Sequence, residues 1–375
     1  YTGKFLEITE GASLTLDGGI VIDSNNNWFF DETGYFNALE SFKTTTKRYP
    51  EGSFASGEAG VPKSSGVLSV KGSMVIKNAT VKNNYGSSAI SVTDGGYLRL
   101  EDSACITNNL TDSSGAAVYI DTGAEFEMTG GEITRNHGNK NGAVIVNKGK
   151  MVMTGGRIAN NHAVNSNGSV MEVLGTSSIF IMEGGEICEN SSLPGTPNNL
   201  NSAIYLHQDS VMRMSGGRIC HNIGISRGAI HKRSDADELT ITGGYVGENQ
   251  TLMVNHEQYY SNYVDRHDVW SDGGGITQIT GGTFTQNVQA QYGQYMVDVN
   301  TDSPEYGTKY GTNVVFDTDK NGNEIVYFIM EKNLITVYNL DNNEYKTIEI
   351  KGNYLSHYLK GNVLYLNVQE KYFFE

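Results

Sequence analysis

Cysteine, proline, basic runs and long apolar stretches are all scarce in this chain, and each scarcity narrows what it can be. Only 3 of 375 residues are Cys, at Cys105, Cys188 and Cys220. An odd number without a C-x-x-C pair argues against a disulfide framework and a structural zinc site, and leaves at least one thiol free. Pro occurs 5 times against 45 Gly, charged residues make up 18% and hydrophobic ones 38%; these values suit many short strands and tight turns, not a helical bundle. No apolar run approaches the roughly 18 residues of a membrane span, and the sequence opens at Tyr1 without Met or a signal-like segment. The expectation is a processed or trimmed protein at an extracellular or cell-surface location. No run of Lys or Arg occurs and the formal net charge is −15, so nucleic acid and anionic membrane are poor partners, since neither is attracted without a basic patch. An acidic polymer is a poor match for the same reason. No linker or shift in composition divides the chain, which reads as one body.

What is present is one phrase, restated. EFEMTGGEITRN at 125–136 is followed by KMVMTGGRIANN, IFIMEGGEICEN, VMRMSGGRICHN, LTITGGYVGEN and ITQITGGTFTQN. The second glycines are Gly131, Gly156, Gly185, Gly217, Gly244 and Gly282, spaced by 25, 29, 32, 27 and 38 residues. That range fits one solenoid turn plus loops of varying length. Within each copy apolar residues alternate, as in Phe126 and Met128 or Met212 and Met214, the period of a strand with one buried face. The Gly-Gly pair then permits a bend that a β-carbon would obstruct, and one more inward residue follows, such as Ile133 or Ile187. A corner comes next, at Asn136, Asn161, Asn190, Asn222, Asn249 and Asn287, with Asn84 and Asn108 fitting upstream. Asn tolerates left-handed backbone, and stacked amides can bond to one another, so this column is structural. A third strand closes each rung (AAVYID, GAVIVN, SAIYLH, GAIHKR), with Val118 and Ile120, Val144 and Val146, or Ile204 and Leu206 inward. Strands that bury their apolar side only against neighbouring rungs form a right-handed parallel β-helix, here with three short strands per rung and about ten rungs over residues 1–307.

Two segments break the pattern. Residues 24–65 form an insertion rich in aromatics (Trp28, Phe29, Phe30, Tyr35, Phe36), with FNALESF as a short helix; it is a cap, a contact with another subunit or a substrate element. From 308 to 375 the glycine phrase gives way to strand-like stretches that close the C-terminal end of the same body, with a hairpin turn at Asp341, Asn342 and Asn343. Cys188 and Cys220, three residues after their second glycines, stack on neighbouring rungs and are expected as packed free thiols. His137, His162 and His221 adjoin ladder asparagines and are expected to line a solvated corner.

Chemistry is sought on the outward side of the third strand, where the column reads Tyr119, Ile145, Met171, Tyr205, His231 beside Asp121, Asn147, His207 and Arg233. The next rung carries the longest insertion, in which Tyr259, Tyr260, Tyr263, Asp265, Arg266, His267, Asp268, Trp270 and Asp272 crowd together. Aromatic faces stack on sugar rings while carboxylates, His and Arg bind hydroxyls, so the mixture suits an oligosaccharide substrate. The substrate-binding candidates are Tyr205, His207, His231, Arg233, Tyr259, Tyr263, His267, Asp268 and Trp270. Two flanking carboxylates are the minimal equipment for glycosidic cleavage, and Asp265 and Asp272 supply them if the chain bends between them; Asp268 competes for the role, and calcium binding or solvation are the bland readings. No cofactor is implied, and although His207, His231 and His267 imitate a metal cluster, no ligand spacing compels one.

The coil, the D-x6-D pair late in it and the hundred or so residues after that pair resemble glycoside hydrolase family 136, the β-helical lacto-N-biosidases of gut bacteria. The resemblance covers most of the chain. It implies retaining release of lacto-N-biose, Galβ1-3GlcNAc, from lacto-N-tetraose-type chains, with Asp265 as acid/base and Asp272 as nucleophile. Family members also carry an α-helical region packed on the coil, which here would come from a separate polypeptide. Two rivals are an adhesin or glycan-binding module without catalysis, and a polysaccharide lyase using Lys232, Arg233 or Arg266.

Overall fold

The computed structural model describes residues 4–24, 28–44, 54–57, 63, 66–138, 144–164, 168–193, 202–224, 229–233, 237–251, 267–271, 276–285 and 287–290, and six later strands at 313–318, 324–330, 334–339, 344–349, 353–360 and 363–369. The chain divides into two compact units, Tyr1–Thr283 and Phe284–Glu375. Among the described residues the second unit holds the strand Asn287–Ala290, four antiparallel strands in sequence order and a separate hairpin. Asn339 pairs with Glu344, so the strands on either side of Asp341 to Asn343 are antiparallel neighbours, as a turn there requires.

The first unit is a parallel β-solenoid. One turn runs through Glu125–Met128, Glu132–Thr134, His137–Gly138 and Ile145–Asn147, and each strand pairs in parallel with its equivalents one turn earlier and later. Phe126 lies between Leu98 and Met151, and Ile133 between Ile106 and Ile158. The two-residue alternation is obeyed, with Phe126, Met128, Met212, Met214, Leu239 and Ile241 all buried. No single turn can hide these side chains; they are covered only by the turn above and the turn below.

Two details depart from expectation. A fourth strand position, two or three residues long, follows the Asn corner, and its members form a 7-stranded sheet from Tyr85–Gly86 to Gln250–Thr251. Strands so short show no visible alternation in sequence. Among the described residues all four positions occur together in the 7 turns that contribute a strand to this sheet, fewer than the ten rungs expected.

The corners explain the repeated residues. At the Gly-Gly bend a β-carbon on Gly155 would lie 2.3 Å from the Thr129 carbonyl oxygen, while Gly156 sits at φ +81°; the first glycine is required by space and the second by conformation. At the next corner Asn84, Asn109, Asn136, Asn161, Asn190, Asn222 and Asn249 are buried one above another. Asn161 donates from its backbone N–H (3.1 Å) and from Nδ2 (2.9 Å) to Oδ1 of Asn190, and Nδ2 also donates to the carbonyls of Ile133 (2.9 Å) and Ala159 (3.1 Å). The upstream member is thus Asn109 and not Asn108. The left-handed backbone belongs to the residue before each ladder Asn, at Asn108, Arg135, Asn160, Glu189, His221 and Glu248, with φ between 53° and 62°. That residue makes the turn, which leaves the ladder Asn free to point its amide into the coil.

Cys188 and Cys220 are disulfide-bonded across adjacent turns, with Cα atoms 4.6 Å apart, and are not free thiols. They are direct register partners, and parallel in-register strands bring equivalent residues to a Cα separation that suits such a bond. Cys105 is free, since its equivalents are Thr80 and Glu132. On the outer face of the wide sheet the pairs Lys150–Glu125, Lys77–Glu101 and Arg157–Glu186 join neighbouring turns; such half-exposed pairs are worth at most about 1 kcal/mol each.

The insertion lies on the flank of the coil itself. Trp28–Phe30 pairs antiparallel with Ala55–Gly57, and helix α1 spans Glu32–Thr44, longer than the FNALESF core that suggested it. Asp31 caps it, accepting from the Gly34 N–H at 2.8 Å. Tyr35 and Leu39, one helical turn apart, are buried against Val164 and Leu193 of the short-strand sheet, with Phe30 and Phe54 packed around them.

Asn161→Leu strands the donors of Asn136 and the carbonyls of Ile133 and Ala159, and should cost about 3 kcal/mol or more in urea unfolding; a loss below about 1 kcal/mol would contradict the ladder's role. Cys220→Ser opens a loop of 32 residues and should cost about 3 to 4 kcal/mol by loop entropy, read as a lower unfolding midpoint under non-reducing conditions.

Candidate functional site

The third-strand sheet sets Val118, Ile145, Met171, Ile204, Ile230 and Val269 in one inward column. The outward column is therefore Tyr119, Val146, Glu172, Tyr205, His231 and Trp270. Ile145 and Met171, expected outward, point in, and so does Asn147; Val146, expected inward, points out. The cause is visible in the burial: Val144, Ile145 and Val146 are all buried, so apolar alternation carries no information there, and a slip of one residue flips every side chain.

Of the expected residues, Tyr205, His207, His231, Arg233 and Trp270 lie in or beside this column. Tyr205 pairs with His231, ring centroids 5.1 Å apart, and His231 with Trp270. Arg233 Nη1 donates to the Tyr205 hydroxyl at 2.7 Å, and the His207 ring lies 5.4 Å from that of Tyr205. Burial raises the Tyr205 pKa, opposed in part by Arg233. Burial, helped by the Arg233 charge, lowers that of His207. Tyr205, His231 and Trp270 are exposed by only 1%, 0% and 1%, so these rings are covered and are not an open stacking platform. Arg233 is exposed and His207 half-buried. Lys232 points into the coil in register with Leu206 and Ser271, which removes it from the surface that a lyase base would occupy.

Asp268 is fully buried, and the last ladder residue among the described residues, Asn249, directs Nδ2 at its Oδ1 at 3.5 Å. It belongs to the end of the amide column. Asp265 and Asp272 flank the strand His267–Ser271 in sequence but lie outside the described residues, as do Tyr259, Tyr260, Tyr263 and Arg266 and the side chain of His267. Among the described residues no three His, Cys, Asp or Glu side chains converge as a metal site, and no helix is long and apolar enough to cross a membrane.

A second site lies under the insertion, whose role as a cap, a subunit contact or a substrate element the sequence left open. The outward column of the short-strand sheet is Tyr85, Leu110, His137, His162, Ser191 and Ile223. His137 is 1% exposed, and Phe30 stacks on His162 at 5.0 Å with 16° between the planes. Both histidines therefore leave the solvated corner expected for them, because the sheet they stand on is turned under the insertion. His221 stays at the surface, 3.1 Å from Glu248. Ser191 Oγ lies 2.9 Å from His162 Nδ1 and 3.1 Å from the Tyr35 hydroxyl, which also donates to the Ala163 carbonyl at 3.2 Å. Burial alone depresses the His162 pKa to about 4 and holds the Tyr35 phenol protonated well above its usual range.

Beside this network is a cleft of about 570 Å³ between the insertion and the coil. Trp28, Phe30, Glu32 and Phe36 form one wall, and Asn108, Arg135 and Asn160 the other, over His137 and His162. The Trp28 indole N–H donates to the Asn108 carbonyl at 2.9 Å, which locks the ring in place. The signals in the sequence were the aromatic cluster of the insertion and two histidines at the same offset from their ladder Asn. No family model, curated protein or solved structure matches the chain.

A histidine whose folded pKa is about 4 against 6.5 takes up its proton in the unfolded chain first. The stability it contributes is complete above pH 6.5 and is lost as the pH falls to about 4, by up to about 3 kcal/mol. Urea unfolding near neutral and near pH 4 should show this loss in the native chain and a smaller one in His162→Gln; equal losses would remove His162 as the cause.

Proposed function

We propose that this chain is a retaining glycoside hydrolase of the lacto-N-biosidase kind, acting on lacto-N-tetraose-type oligosaccharides. Asp265 is the acid/base and Asp272 the nucleophile. The observation that carries this reading is the strand His267–Ser271. It is built into the coil beside Ile230–Lys232 and aligns Trp270 with His231 and Tyr205, so the segment that the two acids flank adjoins the most aromatic and ionisable part of the solenoid. In such a reaction one acid protonates the leaving glycosidic oxygen while the other attacks the anomeric carbon; water then releases the sugar with the first residue acting as base. Arg233 and His207, at the accessible margin of the column, supply donors for sugar hydroxyls, and Tyr259, Tyr263 and His267 are further substrate contacts. An α-helical element packed on the coil, of the kind the resemblance implies, would complete the groove. The Cys188–Cys220 bond suits the oxidising surroundings of an extracellular or cell-surface protein.

Glycan binding without turnover is the second reading, resting on Arg233, which is exposed, and His207, which is half-buried, at the edge of the covered rings, since donors at such a margin can hold sugar hydroxyls without a catalytic group. Assays of Asp265→Asn and Asp272→Asn on lacto-N-tetraose and a nitrophenyl lacto-N-bioside separate the two. Each replacement should reduce kcat/KM by at least about a thousandfold, the scale on which loss of a catalytic group is felt. Full activity in either variant rejects the assignment, and an inactive native chain that still retains oligosaccharide favours the binding module.

A further inference from the structure

The cleft under the insertion is independent of the acids at 265 and 272, and its walls differ in kind. On the insertion side Trp28 presents a ring held by its own N–H bond, and Phe36 is 37% exposed. Across from them stand Arg135 and Asn160, on successive turns of the coil, so their Cα atoms are separated by about 4.8 Å, the spacing of neighbouring strands. Both sit at the left-handed corner position, with φ 54°, and among the described residues neither the Arg135 guanidinium, the Asn160 side-chain amide nor the Glu32 carboxylate makes a hydrogen bond or an ion pair. A flat apolar wall facing a row of unengaged donors and acceptors is the arrangement that binds a pyranose, one face by its C–H groups and the rim by its hydroxyls.

We infer that this cleft is a binding site for a neutral oligosaccharide, with Trp28 and Phe36 as the stacking wall and Arg135, Asn160 and Glu32 as the hydroxyl-binding wall. Other ligand classes fit less well. Glu32 sits in the same cleft as Arg135 and the chain carries a net charge of −15, both of which oppose an acidic saccharide or a phosphate. A lipid tail would bury the Arg, Asn and Glu side chains without partners, which is costly. The cleft volume, about 570 Å³, lies within the range of small-molecule sites. This site stands on a different sheet from the one proposed for hydrolysis and does not depend on that proposal.

The test uses the full chain carrying both Asp265→Asn and Asp272→Asn, so that turnover, whether or not it exists, does not consume the probe. Lacto-N-tetraose, cellohexaose, xylohexaose, N-acetylchitohexaose and, as the acidic member, hexagalacturonate are each titrated by calorimetry and by tryptophan fluorescence. Binding of at least one neutral oligosaccharide is expected, weakened at least about tenfold by Phe36→Ala and likewise by Arg135→Ala, with cooperative thermal unfolding retained in both, since each side chain is partly exposed. Trp28→Phe should abolish the fluorescence response while the calorimetric signal persists. Failure of every neutral probe to bind, binding of hexagalacturonate alone, or an affinity unchanged in either of the two alanine variants overturns the inference.

Discussion

In-register stacking of equivalent residues on successive parallel turns is the constraint from which the rest of this structure descends. Strands about 4.8 Å apart place like over like, so a residue that works in one turn is tested against its own copy in the next. Asn passes because its amide can both donate to and accept from a second amide, and because Nδ2 also reaches two carbonyls that the corner would otherwise strand. Glycine passes at the bend because nothing larger fits under the carbonyl of the previous turn. Cysteine, when repeated at adjacent turns, is brought within bonding reach of its copy.

The same stacking creates an obligation on the short-strand sheet. Its outward column includes Tyr85, Leu110, His137, His162 and Ile223, which are poor residues to leave in water, and the insertion answers it by laying Phe30, Tyr35 and Leu39 across them. Burying the Tyr35 hydroxyl and the His162 imidazole is tolerable because Ser191 and the Ala163 carbonyl take their hydrogen bonds; without partners each would cost on the order of 1 to 3 kcal/mol. Among the described residues the cover meets the sheet through α1, Trp28, Phe30 and Ala55, and a gap remains at its rim. That gap is the cleft.

The two regions of interest thus arise differently. The cleft is formed where a non-repeating segment meets the repeat. The column of Tyr205, His231 and Trp270 arises within the repeat, where the outward side of one strand changes from Val146 and Glu172 to rings as the coil advances. Covered rings and an exposed Arg233 at their edge make this region a supported framework for whatever the adjoining loops present.

The repeated phrase alone determined the solenoid, its Gly-Gly bends and its buried Asn column, because period-2 burial, a bend with room only for Gly and an amide that bonds to its own copy leave marks on every copy. The helix in the insertion was legible only in part, as the FNALESF stretch inside Glu32–Thr44. Tertiary structure decided what has no local mark. It decided the register of GAVIVN, where both faces are apolar; which of two adjacent asparagines, 108 or 109, enters the ladder; the bond between Cys188 and Cys220, which depends on two turns aligning; and the burial of Asp268, His137 and His162. These depend on which surface a side chain meets after folding, and contacts between residues far apart in the chain are not written in the spacing of either one.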